Sequence, residues 1–391
     1  MKFTLTDEQS MIQQSAIKYL QDSVTSESVR SAMASGVGYN LEHWQHITNE
    51  LGWSAVHVPQ AYAGLNLSYV ELVLLLEQMG RYLYCSPFLA SSVMATNTLL
   101  LAATAQQKAD YIPTLCSGQQ TATLAFVSLD GSRNVIDWGT NSVQATYQTR
   151  QDGFQLNGTF HYVIDGHTAD VIIVAARQIG TEGDDGVSLF MVPANMTGVE
   201  RCLQPTMDQT RKQALIKLNN IVVPRQNLIG SEGKSAEHLV NSIALANIAL
   251  AAEQVGGAQQ VLDNTVNYTK ERYQFNRPIA SFQAIKHKAA DMMLRCEVAR
   301  SGVYYGACVA SDFMLHKANA KELREAASIA KAYASNAYYD NASESLQMHG
   351  GVGFTWEFDV HLYFKRAKAS QLFLGNSNHH YEQLADQLLG Y

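Results

Sequence analysis

The placement of proline is the sequence feature that most restricts the fold of this chain. All seven prolines lie at or before Pro278, so the last 113 of the 391 residues contain none. Because proline ends or kinks a helix, this tract, rich in Ala, Leu, Lys and Glu, predicts long helices. The amino-terminal part is also predicted to be helical, since Thr6 and Gln9 can form a capping box. Further helices are predicted over 69–82 and from Ser235 onward, and Gly256-Gly257 inside the second predicts a close helix contact.

The middle of the chain has a different pattern. Short β-type runs occur at 123–127, 154–156, 171–176, 187–192 and 215–218, and turn dipeptides such as Asn157-Gly158 and Asp165-Gly166 separate them. This spacing predicts a small barrel or sandwich. The chain is therefore expected to be α+β, with helices, then strands, then helices. We expect an α-helical domain at 1–118, a β domain at 119–229 and a helical-bundle domain at 230–391.

Composition and charge exclude several classes of protein. The formal net charge is 28 − 35 = −7 without a basic block, so nucleic acid is not an expected partner. The amino terminus lacks the apolar core of a signal peptide, and apolar runs such as 72–76 are too short to span a bilayer. The five cysteines form no CxxC pair, which favours a cytoplasmic location with buried thiols. His379-His380 lacks a second ligand cluster, so we predict a surface pair and no metal.

Several ordered motifs resemble the acyl-CoA dehydrogenase family across essentially the whole chain. The strongest are RYQFNRPIASFQ at 272–283 and QMHGGVGF at 347–354. LGW at 51–53, GLNLS at 64–68, EQMGR at 77–81, LNG at 156–158 and NLIG at 227–230 follow the family order. Each motif is weak alone, but the ordered set is specific. The resemblance implies the family fold: an amino-terminal helical domain, a middle β-barrel or sandwich domain and a carboxy-terminal four-helix bundle.

The resemblance also implies FAD as cofactor, and the chemistry of two motifs agrees with it. Arg272 offers a planar guanidinium for a pyrophosphate, and Gly350 and Gly351 permit close backbone approach. Taken alone, an Arg at a helix end is usually a solvated charge, and Gly350-Gly351 could be only a helix terminator. The residues expected to bind FAD by resemblance are Phe126, Val127, Ser128, Ser132, Tyr162, Val163, Ile164, Arg272, Gln274, Phe275, Phe282, Gln283, Gln347, Gly350 and Gly351.

The middle-domain flavin residues depart from the family pattern. Where the family has a Thr-Glu-Pro run followed by Ala-Gly-Ser, this chain has AFVSLDGS at 125–132, so Ser128 is expected to replace Thr as hydroxyl donor. Tyr162 can stack on the isoalloxazine ring. Ile164 stands where the family has Thr and therefore lacks a hydroxyl.

The catalytic base is the larger departure. Most of the family carries Glu before a Gly-Thr near the carboxyl terminus, and Leu374 holds that place in LFLGNS at 372–377. A minority carries Glu on the helix after the β domain, where Ala246 stands. Neither side chain can accept a proton. Glu253, about two turns beyond Ala246, is a candidate base, although helix packing or solvation is the commoner role of such a Glu.

The expected function is FAD-dependent α,β-dehydrogenation of an acyl-CoA thioester. GVGFTWEFDVHLYFKRAK at 351–368 resembles a bacterial branch that degrades steroid side chains and other bulky acyl-CoAs, in which some enzymes are heterotetramers. The resemblance implies a homo- or heterotetramer and an electron-transfer flavoprotein as electron acceptor. Two alternatives remain: a non-catalytic subunit that completes a paired active site, or a same-fold flavin enzyme such as a monooxygenase or nitroalkane oxidase.

Overall fold

The computed structural model describes residues 4–128 and 137–390. Its helices are α1 (Asp7–Ser23), α2 (Ser26–Ala34), α3 (Leu41–Gln45), α4 (Tyr69–Arg81), α5 (Thr96–Ala102), α6 (Ala105–Cys116), α7 (Ala236–Glu271), α8 (Gln283–Met314), α9 (Ala320–His349), α10 (Val360–Leu372) and α11 (Ser377–Leu389). Its strands are β1 (Ala122–Ala125), β2 (Thr146–Thr149), β3 (Gly153–Ile164), β4 (Val171–Gln178), β5 (Val187–Pro193), β6 (Val199–Gln204), β7 (Gln213–Pro224), β8 (Leu228–Ile229), β9 (Tyr273–Gln274) and β10 (Arg277–Pro278). The predicted order of helices, strands and helices is confirmed.

The described residues form two compact units. The helical unit contains those within 1–31, 68–84 and 247–391, and the sheet unit contains those within 32–67 and 85–246. The boundary falls inside α7, between Ala246 and Asn247. The three domains expected from sequence, 1–118, 119–229 and 230–391, stay a prediction.

The sheet unit is built on one mixed sheet of eight strands. The strand order is β6-β7-β3-β2-β4-β5-β8, and β1 pairs in parallel with β4. The core beneath it is aromatic and β-branched: Tyr147, Phe154 and Phe190 have ring centroids 5.1–5.8 Å apart and are at most 1% exposed. Such side chains pack well on a pleated surface, which explains why the runs at 154–156 and 187–192 form strands.

The helical unit is organised around α4, α7, α8 and α9. The predicted capping box at Thr6 is present, and Gln9 also reaches Glu71 of α4 at 2.8 Å. The predicted close contact at Gly256-Gly257 is confirmed. A Cβ on Gly256 would lie 1.7 Å from the carbonyl oxygen of Glu77, and one on Gly257 would lie 2.4 Å from the Tyr338 ring. Only glycine allows α7 to approach both neighbours this closely.

Helix α7 is the most apolar long helix. Among the described residues it is the one helix long and apolar enough to cross a membrane, and 94% of its apolar window is buried inside the protein. The apolar runs considered from sequence did not include it. Buried core helices have the same composition, because an apolar residue on every face needs protein contacts on every side.

Candidate functional site

Tyr162 projects from a β-bulge in the sheet unit. The pairing of β3 with β7 shifts register between Phe160 and Val163, and Tyr162 has φ 58°. A bulge turns a side chain away from its normal face, and bulges are frequent beside active sites. As a result, Tyr162 is 42% exposed although it lies within a central strand. An exposed phenol ring in this place is suited to stack on a planar ligand.

The other FAD candidates of the sheet unit have buried side chains. The Ser128 Oγ accepts the backbone N–H groups of Gln144 and Ala145, each at 2.6 Å. Its O–H lies 3.4 Å from the carbonyl oxygen of Ser142, a long and weak hydrogen bond, so donation from Ser128 to a flavin stays a prediction. Phe126, Val127, Val163 and Ile164 are at most 2% exposed. Ser132 lies outside the described residues.

A short hairpin at 272–283 carries five FAD candidates of the helical unit. Strands β9 and β10 are joined by Phe275 and Asn276, both with positive φ (55° and 63°), as a type I′ turn requires. Phe275 is 85% exposed, and its ring packs edge-on against Phe282. A bulky residue in the left-handed region is strained, so the exposed position of the Phe275 ring at the turn has an energetic cost.

The polar groups of this hairpin point to solvent. Arg272 is exposed, and its guanidinium makes no hydrogen bond or ion pair with the residues that the structure describes. Gln274 donates only to the adjacent Tyr273 carbonyl, and the Gln283 side chain contacts His287 Nε2 at 2.9 Å. The guanidinium of Arg272 and the side-chain amides of Gln274 and Gln283 are therefore exposed and available to a ligand.

The turn after α9 is an open stretch of backbone. Gln347 is exposed on the last turn of the helix, and Gly350 ends it with φ 63° and ψ −143°, a conformation available to glycine. A Cβ on Gly351 would meet nothing within 4 Å, and its φ is not positive. The chain itself therefore gives no reason for glycine at 351. Close approach of an external group, such as a phosphate, would supply one.

The two positions at which the family base is expected by resemblance are buried and apolar. Ala246 lies on α7 and Leu374 follows α10, and both are 0% exposed. Leu374 has φ 60°, so the loop is held in the left-handed region without glycine. Neither position offers a proton acceptor, as predicted from sequence.

Two buried basic side chains hold the loop at Leu374. The Nζ of Lys331 donates to the carbonyl oxygens of Ser370 at 3.0 Å and Gly375 at 2.8 Å. The Nε2 of His380 lies 3.1 Å from the carbonyl oxygen of Leu374, which makes Nε2 the protonated nitrogen. Burial lowers the pKa of Lys331 to about 7. Burial, followed by the charge of Lys331, lowers the pKa of His380 to about 2, so this ring stays neutral.

His380 corrects one prediction. We expected a surface pair at His379-His380, but His380 is 1% exposed and supports the loop from inside. Its Nδ1 lies 3.3 Å from the Oγ of Ser328 in α9, a partner 52 positions away that the local sequence does not indicate. Among the described residues, no group of three or more His, Cys, Asp or Glu is placed to hold a metal ion.

Glu253 is buried beside a buried cation. Its carboxylate lies 3.7 Å from Arg366, and the two side chains are 9% and 6% exposed. A buried carboxylate needs such a partner, because removal of either charge leaves the other unpaired. A structural ion pair accounts for Glu253 better than a role as proton acceptor, since the buried carboxylate faces the buried guanidinium of Arg366.

The structure brings the candidates together in groups. Residues 126–128 and 162–164 are adjacent in the sheet unit, where Ser128 bridges to Phe160 and Val127 accepts a hydrogen bond from His161. In the helical unit, the rings of Phe275 and Phe282 are in contact within the hairpin.

Sequence reasoning missed Trp138, Lys331 and His380. The short-range signal for Trp138 was the Asp-x-Gly of a turn at 137–139, whereas Lys331 and His380 are revealed only by tertiary packing.

Comparisons with known proteins give one consistent result. Residues 6–119 match the model for "Acyl-CoA dehydrogenase, N-terminal domain", and 238–389 match that for "Acyl-CoA dehydrogenase, C-terminal domain". The chain is 30% identical to an acyl-CoA dehydrogenase of Bacillus subtilis over 346 residues, covering 87% of each protein. It is also 30% identical to acyl-CoA dehydrogenase IpdE2 of Mycobacterium tuberculosis, covering 94% of this chain and 93% of that one. The solved ChsE4-ChsE5 complex of Mycobacterium tuberculosis has the same fold, with a TM-score of 0.87, 23% identity and full coverage of both chains.

Proposed function

Because the chain belongs to the acyl-CoA dehydrogenase family, we propose that it binds FAD and takes part in α,β-dehydrogenation of an acyl-CoA thioester. We further propose that it does so as one subunit of an assembly whose other chain supplies the catalytic base. The contrast between open FAD candidates and closed, apolar base positions carries this proposal.

The residues fit FAD on three counts. The exposed Arg272 guanidinium is suited to a pyrophosphate, since planar guanidinium groups bind phosphate oxygens in pairs. The Gly350-Gly351 backbone leaves open the space that a Cβ would fill. Tyr162 offers an exposed ring for stacking. FAD, when bound, would supply the acceptor for the hydride that leaves the substrate.

The protein side of the reaction needs a base for the α proton, and this chain lacks one at both family positions. Leu374 and Ala246 cannot take a proton, and the Glu253 carboxylate is held by Arg366. A subunit that retains FAD contacts but lacks the base is suited to a site that a related chain completes. The alternative is that Glu253 acts as an unusual base, which would require it to leave its ion pair.

An exposed apolar face in the helical unit supports association. Leu294 and Val298 of α8, Tyr333 of α9 and Tyr381 of α11 line a shallow groove, and each is between 42% and 64% exposed. Contiguous apolar surface of this kind is typical of protein interfaces. We propose that a related subunit covers it and that the assembly is a tetramer. The solved ChsE4-ChsE5 complex shows that a chain with this fold occurs in a complex of two different chains.

We propose a bulky acyl-CoA, such as a steroid side-chain thioester, as substrate and an electron-transfer flavoprotein as electron acceptor. The substrate follows from the resemblance of residues 351–368 to that branch, and the electron acceptor from the resemblance to the family as a whole. A cytoplasmic location would suit such a partner.

The deciding experiment compares the chain purified alone with the chain co-expressed with a related dehydrogenase chain that carries Glu. FAD content and bleaching of the flavin by a panel of acyl-CoAs are measured in both. We expect bound FAD in the pair and bleaching that depends on the second chain's Glu. Rapid bleaching of the chain alone would overturn the pairing, and its loss in Glu253→Gln would identify Glu253 as the base. Absence of FAD from both preparations, or oxygen consumption only with a non-thioester substrate, would overturn the proposed function.

A further inference from the structure

Trp138 packs against two FAD candidates of the sheet unit. Its ring centroid lies 6.0 Å from that of Tyr162, with an interplanar angle of 50°, and 6.3 Å from that of the buried Phe126. The indole therefore connects the core of the unit to its exposed tyrosine. No family motif used above includes position 138.

The backbone at Trp138 is fixed by a small hydrogen-bonded turn. The Oδ1 of Asp137 accepts the Gly139 N–H at 2.9 Å and the Ser142 hydroxyl at 2.7 Å. Ser142 in turn accepts the Ser128 N–H through its carbonyl oxygen at 2.8 Å. The turn is thus tied to the strand end that contains Phe126, which fixes the direction of the indole.

Trp138 and Tyr162 are both strained. Their φ angles are 55° and 58°, in the left-handed region that bulky residues rarely adopt. Two neighbouring aromatic residues in this conformation occur when the surroundings over-determine them, and such strain is concentrated at ligand sites.

We propose that Trp138 is a positioning residue: it fixes the ring of Tyr162 and thereby the surroundings of the isoalloxazine that Tyr162 stacks on. This inference rests on the proposed function, because it takes FAD as the planar ligand. Trp138 acts through Tyr162. With Trp138 removed, the tyrosine ring on its bulge loses the one aromatic contact from outside strand β3 that it makes with the described residues, since its other ring contact is the adjacent His161 at 6.1 Å.

The test is a double-mutant cycle on the assembled FAD-binding protein, with Trp138→Leu, Tyr162→Leu and the double variant. FAD affinity and the absorption and fluorescence spectra of bound FAD are the readouts. We expect Trp138→Leu to weaken FAD binding about threefold to tenfold and to change the spectra. Since Trp138 acts through Tyr162, the double variant should lose no more than Tyr162→Leu. Trp138→Phe should restore most of the affinity.

Trp356→Leu is the matched control, because this indole is 59% exposed in the helical unit, where it contacts Arg30, Lys365 and His361. It should leave the flavin spectra unchanged. Additive losses in the cycle, or lower thermal stability of Trp138→Leu with unchanged FAD affinity and spectra, would overturn the inference. If Trp138→Leu does not fold, unchanged FAD affinity and unchanged spectra in Tyr162→Leu would overturn it. A wild-type protein that never holds FAD would instead refute the proposed function.

Discussion

At the turn after α9 the backbone lies open, whereas at Leu374 the loop is closed from inside. A Cβ on Gly351 would meet nothing within 4 Å. At Leu374, by contrast, the carbonyl oxygens at 370, 374 and 375 are all taken by Lys331 or His380. Both stretches belong to the helical unit and both follow a helix, so the difference is not one of secondary structure.

The contrast distinguishes two kinds of retained structure. The open turn has a glycine at 351 that no contact with the described residues requires, as expected where a ligand approaches the backbone. The closed loop satisfies its own hydrogen bonds and needs no ligand to explain it. A chain that retains its cofactor contacts but lacks the base is expected to have both an open turn at Gly350-Gly351 and a closed loop at Leu374.

The largest expected effect comes from restoring a carboxylate at the closed loop. In an FAD-holding assembly whose partner chain has had its catalytic Glu replaced by Gln, Leu374→Glu should speed flavin reduction by acyl-CoA by about 10²–10⁴-fold, the usual gain from a positioned general base. The matched control is Leu374→Gln, which has the same shape without the charge. Stopped-flow bleaching of the flavin measures both. Equal rates in the two variants would show that position 374 does not reach the substrate.

Lys331→Met should change how stability depends on pH. The folded pKa of Lys331, about 7, is below its ordinary value of 10.5, so the unfolded chain holds a proton that the folded chain has released between these pH values. Stability due to this group therefore rises with pH, by about 1.4 kcal/mol per unit above pH 7.

Denaturant unfolding at pH 7, 8 and 9 would reveal this slope in the wild type and its absence in Lys331→Met. The variant should also be less stable throughout, because buried carbonyl oxygens lose their donor. Lys321→Met is a control, since Lys321 is 65% exposed. The same slope in both variants would mean that Lys331 is not the titrating group.

Arg272→Ala tests the open region. A guanidinium–pyrophosphate hydrogen bond contributes roughly 1.5–3 kcal/mol, so FAD affinity should fall about tenfold or more. Arg277→Ala on the same hairpin is the control, because its guanidinium lies 3.9 Å from the Phe282 ring centroid. FAD titration by fluorescence measures both. A similar loss in the two would point to hairpin stability instead of a direct contact.

The smallest expected effect on the fold is at Gly351. Because the space around it is open, Gly351→Ala should change the free energy of unfolding by less than about 0.5 kcal/mol, while weakening FAD binding several-fold. Gly350→Ala should instead destabilise by roughly 1–3 kcal/mol, since its φ and ψ favour glycine. Unchanged FAD affinity in Gly351→Ala would remove the main reason to see a ligand contact at this turn.

Local signals were enough to predict several of the helices and strands. The capping box at Thr6, the glycine pair at 256–257 and the β-type runs all act over a few residues, and the structure contains them. Strands β2 and β6 were not predicted, because TYQT and VERCLQ carry few apolar residues to mark a buried face.

Side-chain direction could not be read in the same way. Ser128 was expected to face a ligand, yet its Oγ accepts hydrogen bonds from two backbone N–H groups of a later segment. His380 was expected at the surface, yet it lies under Leu374. In each case the partner is supplied by chain folding back from elsewhere, and periodicity holds no information about it. The open turn at Gly350 is different, because its glycines need no distant partner to be interpreted.

The contact of Gly256 with the Glu77 carbonyl has a consequence for biosynthesis. The two residues are 179 positions apart (256 − 77), and the helical unit is assembled from three separate stretches of chain. During translation, α4 therefore emerges long before the helix it must pack against. Its apolar face, Leu72 to Met79, has to wait until nearly two hundred further residues have left the ribosome. The intervening sheet unit can fold in that interval, so α4 is the segment that we expect chaperones to hold during synthesis.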